Sequence, residues 1–119
     1  MAERHEVTST DYPYLLIRVE VQGASEEARA LIDTGYTGSL IIPDTWQGLG
    51  RPDGQTAVEV GDGRIIFAPV YLGAVAINGF PPIRGVAATL LGGEYILGRR
   101  ILDRYEITLD HGQRVIVRP

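Results

Sequence analysis

The chain has no cysteine, which excludes a disulfide framework, thiolate chemistry and cysteine-held metal. Histidine is almost as scarce. His5 and His111 stand near opposite ends of the sequence, without acidic or thiol partners at ligand spacing, so neither zinc nor any other cofactor is implied. Apolar runs are short, and none approaches the roughly 20 residues that a bilayer span needs. The opening MAERHEVTSTDYP lacks the apolar segment of a secretory leader. Basic charge is thin: 11 Lys and Arg stand against 15 Asp and Glu, for a formal net charge of -4 and a pI of about 5.1. Only Arg99, Arg100 and Arg104 cluster, which argues against a nucleic-acid or anionic-membrane surface. Tyr12, Tyr14, Tyr71 and Tyr95 do not interleave with basic residues as a single-strand binder requires. The expectation is a soluble, cytoplasmic protein with no nucleic-acid and no membrane partner.

What is present is a β pattern. A length of 119 residues supports one domain, expected over residues 12–119 behind a flexible N-terminus at residues 1–11. Glycine is abundant, at 15 residues, and most segments alternate at period two or form short apolar runs closed by Gly, Pro or Asp. Leu15 to Val21 alternates around Arg18 and Glu20. A turn at Gly23-Ala24-Ser25 then leads into a strand ending at Ile32. Leu40-Ile41-Ile42 stops at Pro43, and a short helical turn is expected through Trp46 and Leu49. Residues 56–60 and 64–67 flank Gly61-Asp62-Gly63, a hairpin signal because the mirror-image turns need positive φ. Strands follow over Val70 to Ile77, residues 86–91 and residues 95–97, with a turn at Asn78-Gly79. A helix of about one and a half turns is expected from Arg99 to Arg104, before a last hairpin around Asp110-His111-Gly112.

Chemistry gathers in ALIDTGYTGSLIIP, residues 30–43. Asp33 follows Ala30-Leu31-Ile32 and precedes Thr34-Gly35, so an ionisable group sits between two segments that both read as buried. A buried carboxylate costs several kcal/mol unless it is paired or hydrogen-bonded; either the turn exposes it or neighbouring donors hold it. Gly35 and Gly38 permit close backbone approach, and the Thr34 hydroxyl can donate and accept at once. Hydrolysis of an amide by activated water needs one group as base and another as acid, yet the chain has no second Asp-Thr-Gly or Asp-Ser-Gly. A two-fold homodimer would supply it, bringing two Asp33 carboxylates together to share a proton.

Two elements, Ile32-Asp33-Thr34-Gly35 with Gly38-Ser39-Leu40-Ile41, and Ile96-Leu97-Gly98-Arg99 with Ile101-Leu102-Asp103, stand in an order and separation that resemble the single-lobed, retroviral-protease-like aspartic proteases, especially their small bacterial members. The likeness runs over nearly the whole chain. It implies an all-β, closed or partly open acid-protease barrel with one short C-terminal helix, acting on polypeptide as a homodimer without cofactor or metal. By the same resemblance Asp33 would be catalytic, with Thr34 hydrogen-bonding to its twin loop and Gly35 accepting substrate backbone. Substrate contacts would come from Tyr36, Thr37, Ile96 and a flap tipped by Gly61-Asp62-Gly63. Gly98 and Arg99 would hold the dimer and the strand behind the loop.

Two departures from the viral pattern stand out. Thr37 occupies the place of an acidic residue, so Arg99 needs a different partner, and the flap tip is compact. Other readings stay open: Asp33 as a structural Asx turn, Gly61-Asp62-Gly63 as an ordinary hairpin, and the whole chain as a catalytically idle homodimeric peptide-binding or scaffolding module. Phosphate binding at Gly92-Gly93 or Gly98 is disfavoured, because the Gly-x-x-x-x-Gly-Lys spacing is missing.

Overall fold

The computed structural model describes residues 5–119. Leu15, Ile17, Val19 and Val21 point inward and are almost completely buried, whereas Leu16, Arg18 and Glu20 face outward. That alternation defines strand β2 (Tyr14–Val21), which pairs antiparallel with β3 (Ala24–Ile32). The turn between them lies one position earlier than expected, at Gln22 and Gly23, both with positive φ (51° and 79°). Such a two-residue connection matches the right-handed twist of the strands it joins.

Beyond this hairpin the order is β4 (Leu40–Ile42), β5 (Gly54–Glu59), β6 (Ile65–Ile77), β7 (Ile83–Leu90), β8 (Tyr95–Leu97), α1 (Arg99–Leu102), β9 (Glu106–Asp110) and β10 (Arg114–Arg118). Neighbours in the main sheet run β2-β3-β8-β4-β7-β6, and the second half of β6 pairs back onto β2 from Ile17↔Ile77 to Val21↔Gly73. The sheet therefore closes into a six-stranded barrel. Closure removes edges from the barrel itself and encloses a core of Leu15, Ile17, Leu40, Ile42, Val75, Ile77 and Leu97. β6 is longer than the Val70–Ile77 strand expected: its first half leaves the barrel and pairs with β5, so the 54–70 hairpin projects as an arm. The chain fold is thus an all-β barrel with one short helix.

Three local expectations are corrected. The stretch through Trp46 and Leu49 is a turn and irregular chain rather than helix, closed by Trp46 N–H donating to the Pro43 carbonyl at 3.2 Å. Trp46 is pinned by a side-chain bond instead: its Nε1–H donates to the Tyr95 hydroxyl at 2.7 Å, which in turn donates to Glu26 Oε2 at 2.6 Å. Helix α1 covers four residues, not six. Arg104 N–H and Tyr105 N–H donate to carbonyls three residues back, the tightened ending usual where a helix cannot continue, and burial of Ile101 and Leu102 rather than helix propensity holds so short an element. Of the N-terminal stretch expected to be flexible, residues 1–4 lie outside the described residues, but Val7–Ser9 forms β1. It pairs with β10 to give a second sheet, β1-β10-β9. No helix among the described residues is long and apolar enough to cross a membrane.

Candidate active site

Asp33 stands where β3 ends. β8 runs parallel to β3 on one side (Ile32↔Leu97) and antiparallel to β4 on the other (Leu40↔Leu97), so the chain leaves along β3, turns through residues 33–39 and returns as β4 with β8 threaded between. Asp33 N–H is tied to the Leu97 carbonyl at 3.1 Å. Its Oδ1 accepts the Gly35 N–H at 2.9 Å, and Tyr36 N–H donates to the Asp33 carbonyl at 3.2 Å. This is an Asx-stabilised turn. It fixes one carboxylate oxygen and leaves Oδ2 without a hydrogen-bond partner among the described residues, on a side chain that is half-buried while Thr34 and Gly35 are exposed. The question of how a carboxylate sits between two buried strands has a geometric answer: the turn lifts it out of the core, and a backbone donor holds it.

The returning half of the loop is gripped by the start of α1. Gly98 N–H donates to Ser39 O at 2.9 Å, Arg99 N–H to Tyr36 O at 2.9 Å and Arg100 N–H to Gly38 O at 3.1 Å. The loop and helix approach so closely that a Cβ on Gly98 would run into the Gly38 carbonyl and the Tyr36 ring, and one on Gly38 would meet the same ring. The hydrophobic-hydrophobic-Gly segment is therefore the backboard of the Asp33 loop, and Tyr36 lies folded across both glycines.

A cleft of about 680 Å³ opens between this loop and the projecting hairpin, lined by residues 35–38 on one side and by residues 56–61, the acidic Glu59 among them, on the other. The hairpin tip is a three-residue loop: Val60 N–H reaches Arg64 O at 2.9 Å, Gly63 N–H reaches Val60 O at 2.8 Å, and Gly63 takes the left-handed φ of 84° that such loops require. The Asp62 carboxylate is occupied within the turn, accepting Arg64 N–H at 3.0 Å and Arg64 Nε–H at 2.6 Å. β5 is the outermost strand of its sheet.

Of the residues singled out from sequence, Gly35, Tyr36, Thr37 and Gly61 meet around the cleft. Asp33 stands at the start of that loop. Thr34 faces another way, into a hollow shared with Leu102, Tyr105, Ile107 and Leu109. Asp62 and Gly63 serve the hairpin turn. Ile96 is half-buried in the sheet between Leu31 of β3 and Ile41 of β4. Gly98 is a packing residue, and Arg99 contributes its backbone N–H while its side chain makes no ion pair among the described residues. Sequence reasoning did not single out Thr56, Ala57, Val58 and Glu59 of β5 or Val60 beyond it, all of which line the cleft. No group of three or more His, Asp or Glu side chains able to hold a metal stands among the described residues.

No protein-family model matches the sequence, and comparison with curated proteins gives no match. Among solved structures the chain is similar to a retropepsin-like aspartic protease from Rickettsia conorii, with a TM-score of 0.63, 16% sequence identity, and coverage of 99% of this chain and 94% of that one. At that identity the likeness speaks for architecture, and it extends from end to end of both chains. The chain therefore has the fold of the retropepsin-like aspartic proteases.

Proposed function

We propose that this chain is one half of an aspartic endopeptidase that binds extended polypeptide in the cleft and hydrolyses it as a homodimer. The observation that carries the reading is the Asp33 carboxylate, with Oδ1 fixed by the Gly35 N–H and Oδ2 unpartnered among the described residues, at the head of a loop that lines the cleft. Two such loops facing each other across a two-fold axis would bring two carboxylates together, which cannot both ionise and share one proton. The ionised partner takes a proton from water as its oxygen adds to the scissile carbonyl. The protonated partner gives its proton to the carbonyl oxygen. As the C–N bond breaks, the first carboxyl passes the proton it took from water to the leaving amine and the second recovers one from a hydroxyl of the diol, so both carboxylates return to their starting states. The hairpin would close over the peptide and exclude bulk water. Strand β9 supports the dimer: it forms one edge of the β1-β10-β9 sheet, and its Leu109 shares a hollow with Thr34.

A second reading is a peptide-binding module that does not cut. One observation favours it: the cleft and the free edge of β5, which can accept an added strand, are complete within a single chain, whereas the acid–base pair is not. Incubation of the purified protein with diverse unstructured peptides from pH 3 to 8, read by mass spectrometry, separates the two. Cleavage that is lost in Asp33→Asn and rises faster than linearly with protein concentration is expected. A folded dimer that binds peptides and cuts none would assign the chain to the second reading.

A further inference from the structure

Beside the cleft lies a smaller cavity of about 280 Å³ that shares Tyr36, Gly38 and Thr56 with it. Its polar lining is Tyr36, Ser39, Thr56, Thr89 and Arg100, and the rest of its wall is glycine, alanine and valine. Four hydroxyl-bearing side chains and a guanidinium line this space, and no carboxylate does. Thr89, at 3% exposure, is the one polar or charged side chain buried in the core among the described residues. Arg100 is exposed, and it makes no ion pair among the described residues. Its backbone N–H is bonded to Gly38 O at 3.1 Å, which fixes the root of its side chain at the cavity.

We propose that this cavity is a subsite for an acidic side chain, Asp or Glu, of the peptide lying in the cleft. The inference rests on the peptide-binding reading above and adds the substrate chemistry to it. An extended peptide directs every second side chain to one side, so a strand laid along Tyr36, Gly38 and Thr56 presents a side chain to the cavity. A carboxylate there meets the Arg100 guanidinium, which has five N–H donors in a planar fork suited to carboxylate, and hydroxyls able to donate to whatever the arginine leaves uncovered. A basic side chain meets like charge, and an apolar one would cover the hydroxyls of the lining without supplying an acceptor.

The test uses the Asp33→Asn protein, so that bound peptide is not consumed. Matched extended peptides carry Glu, Gln or Lys at each position in turn, with binding read by fluorescence anisotropy at low and high salt. At one position Glu is expected to bind about tenfold tighter than Gln, with Lys weakest and the preference shrinking as salt rises. Arg100→Gln should abolish the preference, Arg100→Lys should keep part of it, and Arg104→Gln, which removes the same charge from outside the cavity, should leave it intact. Equal binding of Glu and Gln peptides at every position, or a preference that survives Arg100→Gln, overturns the subsite and leaves peptide binding standing. Failure of every peptide to bind would remove the peptide-binding reading and the subsite together.

Discussion

Tyr36 and Gly98 define how little room the Asp33 loop has. Gly98 has an ordinary extended backbone (φ -94°, ψ 178°) that alanine can adopt, so any cost of Gly98→Ala comes from its methyl group meeting the Gly38 carbonyl and the Tyr36 ring. Overpacking of this kind costs about 1–3 kcal/mol. Urea unfolding should show that loss, and cleavage, if the proposed activity holds, should fall by more than stability alone accounts for because the loop moves with the ring. Tyr95 gives a second residue-scale prediction. Burial, reinforced by the hydrogen bond to Glu26, pushes its hydroxyl up to about 12, partly offset by donation from Trp46. The neutral phenol is the form the fold favours, so its contribution is fully present below the ordinary value of 10 and is lost as pH climbs from 10 to about 12. Tyr14 and Tyr105 are raised as well. Tyr95→Phe should therefore flatten, without eliminating, the fall in denaturant midpoint across that window, while costing about 1 kcal/mol at neutral pH. At this scale the turn that carries Asp33 was legible from sequence as a candidate site, because a carboxylate between two apolar runs demands an explanation. The Asp62 carboxylate is engaged by Arg64 of its own turn, a bond that a motif does not display.

Strand β9 is an edge whose outward backbone groups make no hydrogen bond to an element other than β10 among the described residues. Leu109, half exposed, and Ile107 lie on the face shared with Thr34. If β9 is the dimer edge, Leu109→Lys should weaken dimerisation at least tenfold in analytical ultracentrifugation, and the monomer should stay folded because the substituted side chain is not part of the core. Persistence of the dimer in that variant would move the interface elsewhere. At the neighbouring hairpin, His111 and Arg114 hold the Asp110 carboxyl below its ordinary value of 3.8, so the support these pairs give is present at neutral pH and lost as pH falls toward and below that value. Most elements could be read from sequence, since period-two alternation and Gly-centred turns are local signals. β1 could not: it is three residues long and its partner among the described residues is β10, near the C-terminal end. The helical turn expected near Trp46 failed for a related reason, since what holds Trp46 is a bond to Tyr95, which is distant in sequence on the neighbouring strand β8.

At the scale of the whole molecule, folding and catalysis have different requirements. The barrel closes within one chain through the β2–β6 pairing, while the proposed acid–base pair needs two. Dilution should therefore extinguish cleavage before it reduces folded structure, with activity and far-ultraviolet circular dichroism followed on the same samples. Loss of both at the same concentration would show that the single chain is not self-sufficient. The all-β class was legible from local patterns, whereas the barrel was anticipated only through the family resemblance, because closure depends on a strand pairing whose register no local pattern sets.

The chain has a single tryptophan, and it is buried against the barrel at 8% exposure with its indole N–H bonded to Tyr95. That placement makes Trp46 an optical reporter of the barrel alone: it is outside the residues that line the cleft and the hollow beside β9. Its emission should stay fixed while peptides bind or subunits separate, and should move to longer wavelength only when the strands themselves come apart.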